Sequence, residues 1–480
     1  MLRAVRTQLQ LRSQSALQLI KKSEALKQSV ILSFGNFVTA GVMAVTTILL
    51  ARVLGPEQFG VFSVVVAILF LITKGTDLGI HQLIPRLYHR WQAHPGLQAQ
   101  LMVWVQNWKL KLSLGLLVIS GIAIPWLQTY TQIADPVLLW LAIMGAILLG
   151  WYEYVHLSLS AKHSFTQVSI LTILLAVFKF VGFSAIAGFL YYTNGTIITS
   201  STDSNSTTIL RLFTAVYCLA PVVAVLWWKQ SKWKVLEKQA TWKISEKQAT
   251  WKISEKQAIT DGQESNQQSH VQSIRKSARR FLPHAFVGTI AMTFIENIDI
   301  LLVNNQLSAF ETGLYSGAVR VTLAVSLITY AVSSVLNNRV TRYSTPEQLK
   351  SYLLKSLSLT AMAFVCFVIT IPLAKPIILY TIGPEYIGGL IPFIVLVGNA
   401  FLGFALVPYT SFFFRLDVPW ANSVGGILQV VPLVVINLLF LNSVGIIAAA
   451  LARVVSTILF TLLVIWLVWR SWKKEFADAI

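Results

Sequence analysis

Twelve apolar blocks, each close to the length of a bilayer-spanning helix, run along this 480-residue chain. A helix rising ~1.5 Å per residue needs about 20 residues to cross ~30 Å of hydrocarbon. The blocks fall at residues 29–50, 61–80, 112–130, 136–159, 167–192, 209–228, 282–306, 312–337, 355–374, 387–411, 420–441 and 444–469. Only 12% of the residues are charged, about half the share that soluble domains carry. That excludes an ordinary water-soluble enzyme and predicts an all-α polytopic membrane protein.

The formal net charge is +19, from 38 Lys and Arg against 19 Asp and Glu. A nucleic-acid binder would gather its basic residues on a folded soluble surface. Here they sit mostly in the short gaps between blocks, and in alternate ones. The N-terminal arm holds Arg3, Arg6, Arg12, Lys21, Lys22 and Lys27. Lys74, Arg86, Arg90, Lys109 and Lys111 follow the second block, and Arg339, Arg342, Lys350 and Lys355 follow the eighth. The intervening gaps have little beyond Arg52 and Lys375. The positive-inside rule therefore predicts both termini in the cytoplasm, with anionic lipids as partners of that face. The arm reads as retained rather than as a cleaved signal peptide. Cys218 and Cys366 lie inside apolar blocks and read as packing thiols, with neither disulfide nor zinc spacing.

The chain divides into a basic arm (1–28), six blocks (29–228), a basic linker (229–281), six more blocks (282–469) and a tail (470–480). The linker holds a nine-residue unit in tandem, KWKVLEKQA and then TWKISEKQA twice, and reads as a solvated insertion or a basic helix on an anionic leaflet. The gap from Tyr191 to Thr208 has no Lys or Arg and reads as an external loop. Its sequons at Asn194 and Asn205 are expected to be unglycosylated. At an offset of 253 residues the halves match: Gly35 on Gly288, Leu54 on Leu307, Gly60 on Gly313, Phe62 on Tyr315 and Ser63 on Ser316. Six blocks separate the copies, so they form a parallel repeat about an axis along the membrane normal.

Ser33-Phe-Gly-Asn36, followed by Ala51-Arg-Val-Leu-Gly-Pro-Glu-Gln-Phe-Gly-Val-Phe-Ser63, resembles the opening signature of the polysaccharide-biosynthesis flippases of the MOP superfamily. Asp299-Ile-Leu-Leu-Val303 leading into Thr312-Gly-Leu-Tyr-Ser316 looks like its second-half counterpart, and Gly383-Pro-Glu-Tyr386 is similar to the family's turn. The resemblance implies a MATE-like fold of two six-helix lobes and export of lipid-linked oligosaccharides. Physically, Gly55 and Pro56 should stop the first helix, and Gly60 should let the second start close to a neighbour.

An ionisable group at the bilayer centre costs about 2.5–3.5 kcal/mol on insertion scales, so it should face a cavity or a partner. The candidates are Glu153, Lys179, Glu296, Asp299 and Arg320, with Arg211 and Arg453 nearer span ends, where they could snorkel. Glu296 and Asp299 share a helical face, and Arg320 is expected to neutralise either; Glu153 and Lys179 are expected to pair likewise. As cavity groups, Lys179, Arg320, Asn36, Arg211 and Arg453 would bind a lipid-linked diphosphate and its sugars. Glu153, Glu296 and Asp299 would then carry a coupling proton or sodium ion, or form structural ion pairs. Asn304 and Asn305 suit sugar hydroxyls or helix–helix hydrogen bonds. Trp104, Trp108, Trp126, Trp227, Trp228, Trp466 and Trp469 read as an interfacial belt.

No glycine-rich phosphate loop, metal spacing or nucleophile–base arrangement appears, so neither an enzyme nor a cofactor is expected; His81, His89 and His94 read as loop residues. The expected function is a flippase for polyprenyl-diphosphate-linked oligosaccharide in the plasma membrane, working by alternating access, with a polysaccharide polymerase as a possible neighbour. The alternatives are a MATE-like antiporter of organic cations and, from another class, a membrane glycosyltransferase or polymerase.

Overall fold

A computed structural model describes residues 24–77, 79–81, 84, 95–162, 164–194, 206–229, 286–340, 346–410 and 419–476. Residues 1–23 of the basic arm, the linker from residue 230 on, His89, His94 and most of the 191–208 loop lie outside the described residues. Among the described residues all regular structure is helical: α1 (Glu24–Gly75), α2 (Pro95–Thr131), α3 (Pro136–Ala161), α4 (Phe165–Asn194), α5 (Ser206–Lys229), α6 (Phe286–Gln306), α7 (Ala309–Val340), α8 (Pro346–Thr381), α9 (Leu390–Thr410), α10 (Pro419–Val444) and α11 (Ile446–Phe476). All but α7 supply the ten candidate membrane spans. Helices satisfy their own backbone groups in hydrocarbon, and the chain is a multi-pass membrane protein.

α1 has 52 residues, so at ~1.5 Å per residue it is more than twice as long as the ~30 Å hydrocarbon core of a bilayer is thick. It is two arms meeting at Gly55, whose φ of 68° and ψ of 173° are not helical. Glycine adopts such a φ without a Cβ clash, and Pro56 restarts the helix where its missing N–H costs nothing. The predicted break is therefore present. α2 starts at Pro95, well before residue 112, because the Lys109 ammonium is satisfied inside the protein and does not end the helix. Asp135 caps α3 by accepting from the Val137 N–H at 3.0 Å. Between α8 and α9, Gly383 has φ 113° and leads into a 3-10 turn at Pro384–Gly389, which buries Tyr386.

The two matched glycines organise the contact between the halves. A Cβ on Gly60 would lie 1.9 Å from the carbonyl oxygen of Ala309, and one on Gly313 would lie 1.7 Å from that of Pro56. Residues 56 and 309 are themselves related by the offset of 253, as are 60 and 313. The contact is reciprocal, as at an isologous two-fold interface. Each glycine lets one helix touch the other's backbone. Around it, Arg52 donates to the carbonyls of Tyr380 and Thr381, and Tyr386 Oη donates to Ala51 O at 2.8 Å. Asn304 Nδ2 donates to Thr131 O at 2.5 Å and Asn305 Nδ2 to Tyr130 O at 2.6 Å. The asparagines thus make helix–helix bonds. Every one of these bonds joins the first half of the chain to the second, at the end that carries the Gly55 turn.

Outward faces are apolar. Val118, Ile122 and Trp126 on α2 and Phe364, Val365 and Ile369 on α8 are exposed, as a lipid-facing surface requires. Of the Trp belt, all but the half-buried Trp228 are exposed. Cys218 is buried, with Sγ donating to Leu141 O, and Cys366 is exposed.

Candidate functional site: charged groups within the spans

Asp299 on α6 has no exposed surface. Its carboxylate accepts from Arg453 Nε at 2.5 Å and Arg453 Nη2 at 3.0 Å, from the Tyr315 hydroxyl, and from the Ile300 N–H at 2.9 Å. Arg453 Nη2 also donates to Glu296 O at 3.0 Å. Two expectations are corrected here. Arg453 on α11 does not snorkel, and it is Arg453 rather than Arg320 that neutralises Asp299. The planar guanidinium fork reaches both carboxylate oxygens together, which favours Arg in such a buried pair. Glu296, one turn away, is exposed and its carboxylate has no bonded partner among the described residues.

Glu153 does not pair with Lys179. Its Oε1 lies 2.5 Å from Lys74 Nζ, because the end of α1 packs beside α3 whereas Lys179 faces into α5. Next to this pair, buried Lys109 donates to Gly150 O at 3.0 Å and lies 3.8 Å from Asp77. Asp77 in turn accepts from the His81 N–H at 3.1 Å, and burial pushes the His81 imidazole below its ordinary range despite the nearby carboxylate. The sequence reading took Lys74 and Lys109 as topology signals and passed over Asp77. Their spacing from α3 is a tertiary fact with no local signature.

Arg211 forms a bidentate pair with Asp135, at 2.6 and 2.9 Å, at the α2–α3 junction. Its exposed position fits a span end and keeps it out of the interior cluster. Asn36 is half-buried on α1, on the turn after Gly35, which packs against Ser169 of α4.

Lys179 and Arg320 remain. Lys179 is only 3% exposed, and its Nζ stands 3.4 Å from the centroid of the Tyr217 ring. Half-buried Arg320 on α7 lies within electrostatic range of the same tyrosine, of Arg453 and of Glu296. Neither cation has a salt bridge among the described residues. Tyr217 is the neighbour of Lys179 that the sequence did not reveal, since an aromatic in an apolar block looks like core. The structure thus brings together Arg453, Asp299 and the Glu296 backbone in the second half and sets Lys179 on Tyr217 in the first, while Glu153 and Arg211 pair elsewhere, with Lys74 and Asp135.

Two family models, both described as polysaccharide biosynthesis protein, match residues 25–244 and 268–389, together more than two thirds of the chain. No curated protein matches significantly. Among solved structures, the chain is similar to a lipid II flippase MurJ in an inward closed conformation, at 14% identity and TM-score 0.64, over 92% of this chain and 87% of that one. It is also similar to an inward-facing multidrug resistance MATE family transporter of the MOP superfamily, at 12% identity and TM-score 0.60, over 90% of this chain and 93% of that one. A MOP superfamily transporter from Pyrococcus furiosus, whose description notes a binding pocket of reversed polarity, matches at 14% identity and TM-score 0.55, over 93% and 96%. The spans and these likenesses define a helical membrane protein of the MurJ/MATE-like fold. The chain belongs to the family described as polysaccharide biosynthesis protein.

Proposed function

We propose that this protein flips a polyprenyl-diphosphate-linked oligosaccharide across the plasma membrane by alternating access. The observation that carries the reading is a pair of in-span cations without salt-bridge partners among the described residues, Lys179 against the Tyr217 ring and half-buried Arg320 on α7. Unpaired cations in mid-span are costly unless an anion visits them, and a diphosphate supplies that anion. Arg320 suits a planar fork on phosphate oxygens, and Lys179 a point charge. An antiporter of organic cations would need the opposite polarity.

In this reading each arm of α1 is one span and α7 is another, which makes twelve, arranged as lobes 29–228 and 282–469 with both termini in the cytoplasm. The inter-half bonds then close the external end, and the site opens to the cytoplasm and, laterally, to lipid for the polyprenyl tail. Of the three acids, Glu153 and Asp299 are held in ion pairs, which leaves Glu296 as the carboxylate free for a coupling proton or sodium ion. A polymerase would take up the delivered oligosaccharide outside.

The test is the sidedness of lipid-linked oligosaccharide in cells depleted of the protein. Accumulation on the cytoplasmic leaflet, reversed by wild type but not by Lys179→Ala or Arg320→Ala at equal abundance, supports the reading. Full complementation by both variants would overturn it.

A further inference from the structure

Burial of Lys179 raises a physical question that its partners answer only in part. A side-chain ammonium with 3% exposure and no carboxylate partner among the described residues needs some other group to face it. What faces it is the π surface of Tyr217, at 3.4 Å, an arrangement whose attraction grows as water is excluded. The ring is held on two further sides. Phe62 stands edge-on to it at 5.7 Å and 81°, and Phe183 is stacked at 6.5 Å and 18°. Phe62 belongs to the second arm of α1, so the ring is braced by the segment that makes the contact between the halves.

We propose that Tyr217 is the positioning residue of the cationic site, its ring face holding the Lys179 ammonium in place for an anionic diphosphate. This rests on the anion-site reading above. Before a headgroup arrives, the ring is the surface against which a buried ammonium can stay put. When it arrives, phosphate oxygens complete the ammonium's remaining N–H bonds without Lys179 having to be ordered first, so less ordering is needed on binding. The ring matters here, and the hydroxyl does not.

The experiment uses the full-length protein in detergent, with inorganic pyrophosphate as the probe and its Kd as the readout. Position 217 carries Tyr, Phe, Leu or a series of increasingly fluorinated phenylalanines, each in the wild-type and Lys179→Met backgrounds. Fluorination keeps the shape while draining the negative π face, so folding is preserved across the series. Tyr217→Phe should bind within about threefold of wild type, and the most fluorinated ring and Tyr217→Leu should bind about thirtyfold more weakly. With Lys179→Met the series should be flat. A flat series with Lys179 present, a slope that survives Lys179→Met, or a Tyr217→Phe loss as large as that of Leu would each overturn the assignment to Tyr217 alone. If the wild type fails to bind pyrophosphate, the anion-site reading falls and takes this inference with it.

Discussion

Adding a single methyl group at Gly60 should open the end of the molecule that joins its two halves. The Cβ of Gly60→Ala would sit 1.9 Å from Ala309 O and 2.8 Å from Gly313 N. A carbon–oxygen contact needs at least ~3.3 Å, so α1 and α7 must move apart by about 1.4 Å. Both obstacles are backbone atoms, and no side chain can rotate to make room. Overpacking of this kind costs about 1–3 kcal/mol. Spent against the contact between halves, that is about a 5- to 150-fold shift away from closure. Gly313→Ala, with a clash of 1.7 Å on Pro56 O, should do the same. The double variant should add little to either single one, because one separation relieves both clashes. Spin labels at Thr129 on α2 and Tyr380 on α8, both exposed at this end, would report the change as a longer distance distribution. Gly121→Ala, which has nothing within 4 Å of its Cβ, is the control. Gly60→Ala and Gly121→Ala giving the same distribution as wild type would refute the argument, as would fully additive shifts in the double variant.

Two other groups yield predictions of their own. Arg453→Met strands the fully buried Asp299 carboxylate with only Tyr315 and a backbone N–H as donors. It should destabilise the protein by about 3–5 kcal/mol, and Asp299→Asn added to it should recover more than half of that in a denaturation measurement. At the α2–α3 junction, hydrogen bonds from Arg211 hold the Asp135 carboxyl below its ordinary range, helped by the Val137 N–H and opposed by burial. A depressed carboxyl contributes stability that is present above its unfolded pKa and lost as pH falls through its folded one. The difference in stability between wild type and Asp135→Asn should therefore be full at neutral pH and shrink in acid below the ordinary carboxylate range, as a melting series across pH would show.

The spans were legible because membrane crossing imposes one length on every segment, and the break at Gly55-Pro56 because both residues act through their own backbone. The pairing of charges was not. Asp299 and Arg453 lie 154 residues apart, and which helix faces α6 is decided by packing of the whole chain. Lys109 misled the reading of α2 for the same reason: a charge that would end a span in lipid is tolerated once Gly150 O and Asp77 meet it. Tyr217 carries no local mark at all, because the property that matters, an ammonium on its face, belongs to another helix.

The internal repeat makes the division sharper. The two glycines at the close approach between halves are the same in both copies, Gly60 with Gly313, and their geometry is reciprocal. Residues that form the charged centre are not. Where the second half has Asp299 and Tyr315, the first has Thr46 and Phe62. The Thr46 hydroxyl donates to Val42 O within its own helix, and Phe62 packs on Tyr217. One copy thus spends these positions on packing and the other on an ion pair. The close backbone approach is thus shared by both copies, while the buried ion pair belongs to one of them. In a transporter a close helix contact and a charged centre are separate needs, and the repeat keeps the glycines of the first alike while the residues of the second diverge.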